Sequence, residues 1–206
     1  MRVGWILACL IGEALGMALV ASIYAGLARG LLSGEAVWTL VAGAGEGVAL
    51  GGAQALAFRR YRARTARPSL PLWVGLTMVV AMLGYAGALT TRLGGGVENA
   101  ALAGAAPPLW AIGLMGAAMG AVLGPLFGAA QGLALRKAHG ISRAAWVLAN
   151  LVGWMAAMPV IMLAASLVGD DWPLWRIALA GAGAGAGAGA LIGASTSLAL
   201  GKSARP

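Results

Sequence analysis

Apolar residues along this chain gather into six long blocks, and the charged residues are collected into short stretches between them. The blocks lie near Val3 to Ala28, Ala36 to Phe58, Leu72 to Thr91, Pro108 to Leu135, Ala144 to Val168 and Leu174 to Leu200. A helix advances about 1.5 Å per residue, so about 20 mainly apolar residues cross the roughly 30 Å hydrocarbon core of a bilayer. Every block meets that length. Glycine and alanine are abundant inside them, which weakens a helix in water but is ordinary where lipid forces each backbone group to bond within its own segment. The pattern predicts an all-α integral membrane protein with six transmembrane helices, the 206 residues forming one transmembrane domain.

Composition points the same way, with 61% of residues hydrophobic, 10% charged and a mean hydropathy of +0.87. A soluble domain of this size must cover its core with charge, and this chain has too little. The first block resembles a signal peptide, since Arg2 precedes it and Ala21 and Ala25 are small. Glu13 interrupts its apolar run, however, and the run is longer than a signal core, so it reads as a retained span. Cys9, the single cysteine, has too few apolar residues before it for a lipoprotein signal and reads as a packing residue.

Charge then sets an expected topology. One face of a six-span bundle receives Arg2, the cluster Arg59, Arg60, Arg62, Arg64 and Arg67, then Arg136, Lys137, Arg143, Lys202 and Arg205. The other receives Arg29, Arg92 and Arg176 with Glu35, Glu98, Asp170 and Asp171. Short loops with more Lys and Arg stay in the cytoplasm, so both termini are expected there, in a bacterial cytoplasmic (inner) membrane. The net charge of +8 is therefore largely topological. The arginine cluster is placed to meet anionic lipid headgroups, and no stacking platform or motif for nucleic acid accompanies it. Trp5, Trp73 and Trp146 fall at the cytoplasmic helix ends and Trp38, Trp110, Trp172 and Trp175 at the outer ends, positions that suit interfacial indoles. Trp154 lies well inside the fifth block.

An internal repeat organises these blocks. Residues 47 to 60 read GVALGGAQALAFRR, residues 124 to 137 read GPLFGAAQGLALRK, and residues 189 to 202 read GALIGASTSLALGK, aligning without gaps. The odd blocks repeat as WILACLIG from Trp5, WVGLTMVV from Trp73 and WVLANLVG from Trp146. Three tandem helical hairpins follow, roughly 1–68, 69–140 and 141–206. A two-helix unit enters and leaves on one side, so its copies are parallel and pseudo-threefold.

Glycines at four-residue steps, such as Gly47 and Gly51 or Gly124 and Gly128, suit close helix packing. Gln54, Gln131 and Thr196 are equivalent on the even blocks, and Cys9, Thr77 and Asn150 on the odd ones. They predict a polar belt that either bonds helices together or lines a polar cavity. Pro125 and Pro159 sit inside helices and are expected to kink them. Glu13 and Glu46 break the repeat: Glu13 matches Ala81 and Trp154, and Glu46 matches Leu123 and Ala188. Both fall near the midplane with no basic residue at their depth. A charged carboxylate there faces the bundle interior or a partner, so they are the candidate contacts for a proton, an ion or another subunit, with a neutral hydrogen-bonded role as the alternative.

No motif for catalysis, nucleotide, haem or metal emerges. His139, the only histidine, lies in a connection, and Asp170 and Asp171 read as an outer turn. The motif GPLFGAAQGLALRK followed by WVLANLVGW resembles a loose group of bacterial multi-pass membrane proteins with a GxxxGxxQ signature, a basic pair and a tryptophan-led helix. Many of its members carry Trp after the Gln, where this chain has Ala55 and Gly132. The resemblance implies the same fold and no activity. The functional expectation is a noncatalytic structural or accessory subunit of a larger membrane complex, without cofactor, whose partners are the bilayer and other membrane subunits. The alternative is a small transporter or channel using the midplane glutamates for a proton or cation.

Overall fold

A computed structural model describes residues 2–61, 67–93, 107–135, 140–169 and 171–200, with backbone alone at 91–93. Among these are six helices and no strand: α1 (Arg2–Ala28), α2 (Glu35–Tyr61), α3 (Leu70–Leu93), α4 (Leu109–Ala134), α5 (Arg143–Ser166) and α6 (Leu174–Ala199). All six are long and apolar enough to cross a membrane. The blocks read from sequence match them to within a few residues. Arginines and a polar segment extend α2 to Tyr61, because a helix can continue into polar surroundings after its apolar run ends.

Helix ends follow local chemistry. Proline precedes α4 and α6, at Pro108 and Pro173, where its fixed φ suits the entry and its missing N–H is not needed. Ser142 caps α5 by accepting from the Ala145 N–H at 3.4 Å. The short turn after α1 uses Gly30 and Gly34, at φ +68° and +83°, where a side chain would be strained. Pro125 and Pro159 sit inside α4 and α5, and both helices continue past them.

Each helix packs chiefly on its two neighbours in the chain, and α6 closes on α1, so the six form a ring. Glycines set five of its six seams, three of them from the even helices. On α2, Gly43 lies so close to α3 that a Cβ there would sit 2.9 Å from Met82 Cα. On α4, a Cβ at Gly124 would sit 2.7 Å from Leu151 Cα of α5, and on α6 a Cβ at Gly193 would sit 2.8 Å from Ile6 Cα of α1. Backbones this close gain dispersion contacts that larger side chains would prevent.

The α3–α4 seam is the slightest of the six. Seven residues after their tryptophans, α1 and α5 carry Gly12 and Gly153, which meet the backbones of Leu50 and Ile192. At the same position α3 carries Val80. Farther along α3, Gly84 meets only the Leu123 side chain. Side chains therefore separate α3 from α4 where backbones meet elsewhere, and space opens inside the ring.

Candidate functional site

The end of the ring that carries Arg59, Arg60 and Arg143 is closed. Trp5, Trp73 and Trp146 converge there, with ring centroids 5.4 to 6.5 Å apart, and Phe58 sits 4.9 Å from both Trp5 and Trp73. All three indoles are fully buried. This corrects the interfacial role expected of them: they start their helices, but they point across the ring axis into one another. The outer-end assignment suits Trp110 and Trp175 better, both of which are well exposed.

Beneath the tryptophans lies the polar belt. Each indole N–H donates to a different even helix: Trp5 to Thr196 Oγ1 at 2.9 Å, Trp73 to Gln54 Oε1 at 2.9 Å and Trp146 to Gln131 Oε1 at 3.1 Å. Gln131 Nε2 donates to Gln54 Oε1 at 3.1 Å and Thr77 Oγ1 at 3.0 Å, and Gln54 Nε2 approaches Cys9 Sγ at 3.5 Å. Gln54, Gln131, Thr77, Thr196 and Asn150 are all buried, as the belt reading requires. Asn150 departs from it, since its amide donates to the Trp146 carbonyl of its own helix at 3.0 Å. One turn farther along, Leu50, Phe127 and Ile192 add a buried apolar layer. Among the described residues the belt bonds helices together.

Past that layer the ring widens into a cavity of about 900 Å³. All six helices line it, and the wall is mostly aliphatic, with Met17, Met119, Met158 and Met162 among its residues. Phe127 and Trp154 lie at its floor, stacked face to face with centroids 4.5 Å apart. Ala28, Arg29, Val168 and Gly169 lie near the opposite end, where the Arg29 guanidinium donates to the Trp172 carbonyl.

The two glutamates come together at the floor. Glu46 lines the cavity, and one of its oxygens accepts from the Tyr85 hydroxyl. Glu13 lies fully buried beside it, near enough for the two carboxyls to interact, and neither Glu13 oxygen has a hydrogen-bond partner among the described residues. Gly16 makes this proximity possible, because a Cβ there would lie 3.0 Å from Glu46 Cγ. Tyr24 stacks on Tyr85 at 6.3 Å and completes the polar corner.

Sequence reading singled out both glutamates but left out Tyr24 and Tyr85. A usable signal was present: of three tyrosines in the chain, these two fall inside apolar blocks, where a phenol needs a partner. Of the arginine cluster, Arg59 and Arg60 are exposed at the end of α2 and Arg67 is half-buried, while Arg62 and Arg64 lie outside the described residues. Among the described residues no group of three or more His, Cys, Asp or Glu gathers as metal ligands would. The arrangement can hold an apolar body and present carboxylate and phenol oxygens to one end of it. No known protein family, curated protein or solved structure matches the chain.

Proposed function

We propose that this chain is a noncatalytic integral membrane protein that acts as an accessory component, holding a small apolar or amphipathic molecule inside the bilayer. The single observation that carries the reading is the one-ended cavity: about 900 Å³, mostly apolar, lined by all six helices and backed by the tryptophan and glutamine layers. Ligand sites are typically concave and apolar, with a few convergent polar groups, and volumes up to about 1,000 Å³ suit small organic molecules.

Three tandem hairpins in pseudo-threefold, parallel arrangement belong to the same proposal. Support comes from cyclic bonding, in which the tryptophan of each hairpin donates to the belt residue of the hairpin before it. The glycine seams run in the same sense. The kinship with the GxxxGxxQ group of bacterial membrane proteins remains part of the proposal, as do the inner-membrane location, the cytoplasmic termini and headgroup contacts at the arginine cluster. Their support is the bias of positive charge.

Native mass spectrometry of the tagged protein released from a mild detergent tests the function. The expected spectrum carries a stoichiometric small-molecule adduct that is lost in Ala180→Trp, which fills the cavity from α6, and a partner subunit travels with the chain. A bare chain with no adduct and no partner defeats the reading. The alternative of a transporter or channel draws on Glu46 at the cavity floor. The sealed end then corresponds to the closed half of an access cycle, and proton or cation flux in liposomes that stops in Glu46→Gln would establish it.

A further inference from the structure

The cavity has one chemically distinctive corner, and it is acidic. Glu46 and Tyr85 reach it directly, Glu13 lies behind with both oxygens unpartnered among the described residues, and Arg29, just past the end of α1, is the only basic side chain among the described residues of the wall. We propose that the cavity selects lipophilic organic monocations, the cationic centre lodging against Glu46 and the apolar body against the methionine and aromatic wall. This rests on the cavity-binding reading above and names its ligand class.

Three features distinguish this ligand from its competitors. A small inorganic cation needs several oxygens to replace its water, about six for magnesium and six to eight for calcium, whereas the lining offers one carboxylate, Glu46, and the phenols of Tyr24 and Tyr85 among hydrocarbon, with Glu13 buried behind. A large organic cation spreads its charge, so it sheds water readily and needs one counter-charge rather than a full shell. An anionic amphiphile would bring its head to an acidic corner and meet repulsion. The aromatic faces add attraction for a cation, since Phe127 with Trp154 and Tyr24 with Tyr85 form two stacked pairs on this wall. Four methionines give the wall thioether arms that adapt to varied shapes, so selection falls on charge and hydrophobicity more than on outline.

The test uses the full chain in nanodiscs and equilibrium dialysis of tetraphenylphosphonium, with uncharged triphenylphosphine oxide as comparator and empty nanodiscs for background. The expected result is one phosphonium ion per chain, bound at least about ten-fold more tightly than the comparator. Glu46→Gln is expected to abolish that preference while still binding the comparator, and slow thiol labelling at buried Cys9 verifies that the variant is folded. Equal binding of both probes to the unaltered protein overturns cation selection and leaves the cavity reading standing, and so does a preference that survives in folded Glu46→Gln. If neither probe binds the unaltered protein above background, cation selection fails. If in addition the native adduct is missing, the cavity reading fails with it.

Discussion

Replacing Gln131 by Leu keeps nearly the same volume and removes the hub of the belt. Gln131 makes three side-chain bonds to other helices: it donates to Gln54 and Thr77 and accepts from Trp146. Interhelical bonds inside membranes average about 0.6 kcal/mol each, so three amount to about 2 kcal/mol. The Trp146 indole is then left buried with an orphaned N–H, and that penalty is about 1–3 kcal/mol in its own right. Because the two figures overlap in what they count, the expected loss is about 2–4 kcal/mol. Thr196→Val removes one such bond and leaves the buried Trp5 indole with an orphaned N–H in the same way, so it is expected to lose about 1–3 kcal/mol, less than Gln131→Leu by the two further bonds. Reversible unfolding in mixed detergent and dodecyl sulfate micelles, followed by the near-ultraviolet circular dichroism of the tryptophan cluster, measures both. Adding Trp146→Phe to Gln131→Leu removes the orphaned donor, so the double variant should be more stable than the sum of the singles by about 1 kcal/mol. A Gln131→Leu loss no larger than that of Thr196→Val, or strict additivity in the double variant, would refute the network account.

Gly120→Ala places its methyl on the Trp154 carbonyl, a backbone group that cannot step aside, and should destabilise the bundle by about 1–3 kcal/mol in the same unfolding assay. Gly183→Ala meets nothing within 4 Å and should be neutral or stabilising by up to about 1 kcal/mol; similar losses at the two sites would contradict the glycine-seam packing. The Cys9 thiol is fully buried against Gln54, so maleimide should label the folded protein at least about a hundred-fold more slowly than the unfolded one, equal rates disproving the packing. Tyr85→Phe removes the hydroxyl donor to Glu46 and leaves the ring stack with Tyr24. It should alter phosphonium affinity while leaving the adhesion of the apolar body, and hence comparator binding, unchanged.

The long apolar blocks made the helices legible, because helix length in lipid is fixed by bilayer thickness and little else. Gln54, Gln131, Thr77 and Thr196 were legible as a polar belt that either bonds helices or lines a cavity, but the tryptophan N–H groups that bond three of them were not. Trp5, Trp73 and Trp146 were misread because position along a helix fixes depth but not facing. An indole one turn from basic residues looks interfacial until the ring axis is known. The cavity itself was beyond the sequence. It depends on Val80 standing where Gly12 and Gly153 stand in the other helices, and a single methyl-bearing residue becomes a gap only once three dimensions say which seam it props open. Glu13 and Glu46 were legible as costly but not as neighbours, for they meet only through the approach that Gly16 permits.

Ring closure joins the two extremes of the chain: Trp5 donates to Thr196 across 191 residues, and the glycines of α6 need the face of α1 as their partner. During synthesis α1 emerges before α6, so the backbone face of α1 around Cys9 and Glu13 lacks its partner until α6 follows. A chain without α6 leaves that face, with the Glu13 carboxyl on it, uncovered. Truncations that end before α6 should therefore be cleared by membrane proteases rather than accumulate. Docking of α6 on α1 is thus expected to be the step that completes the ring.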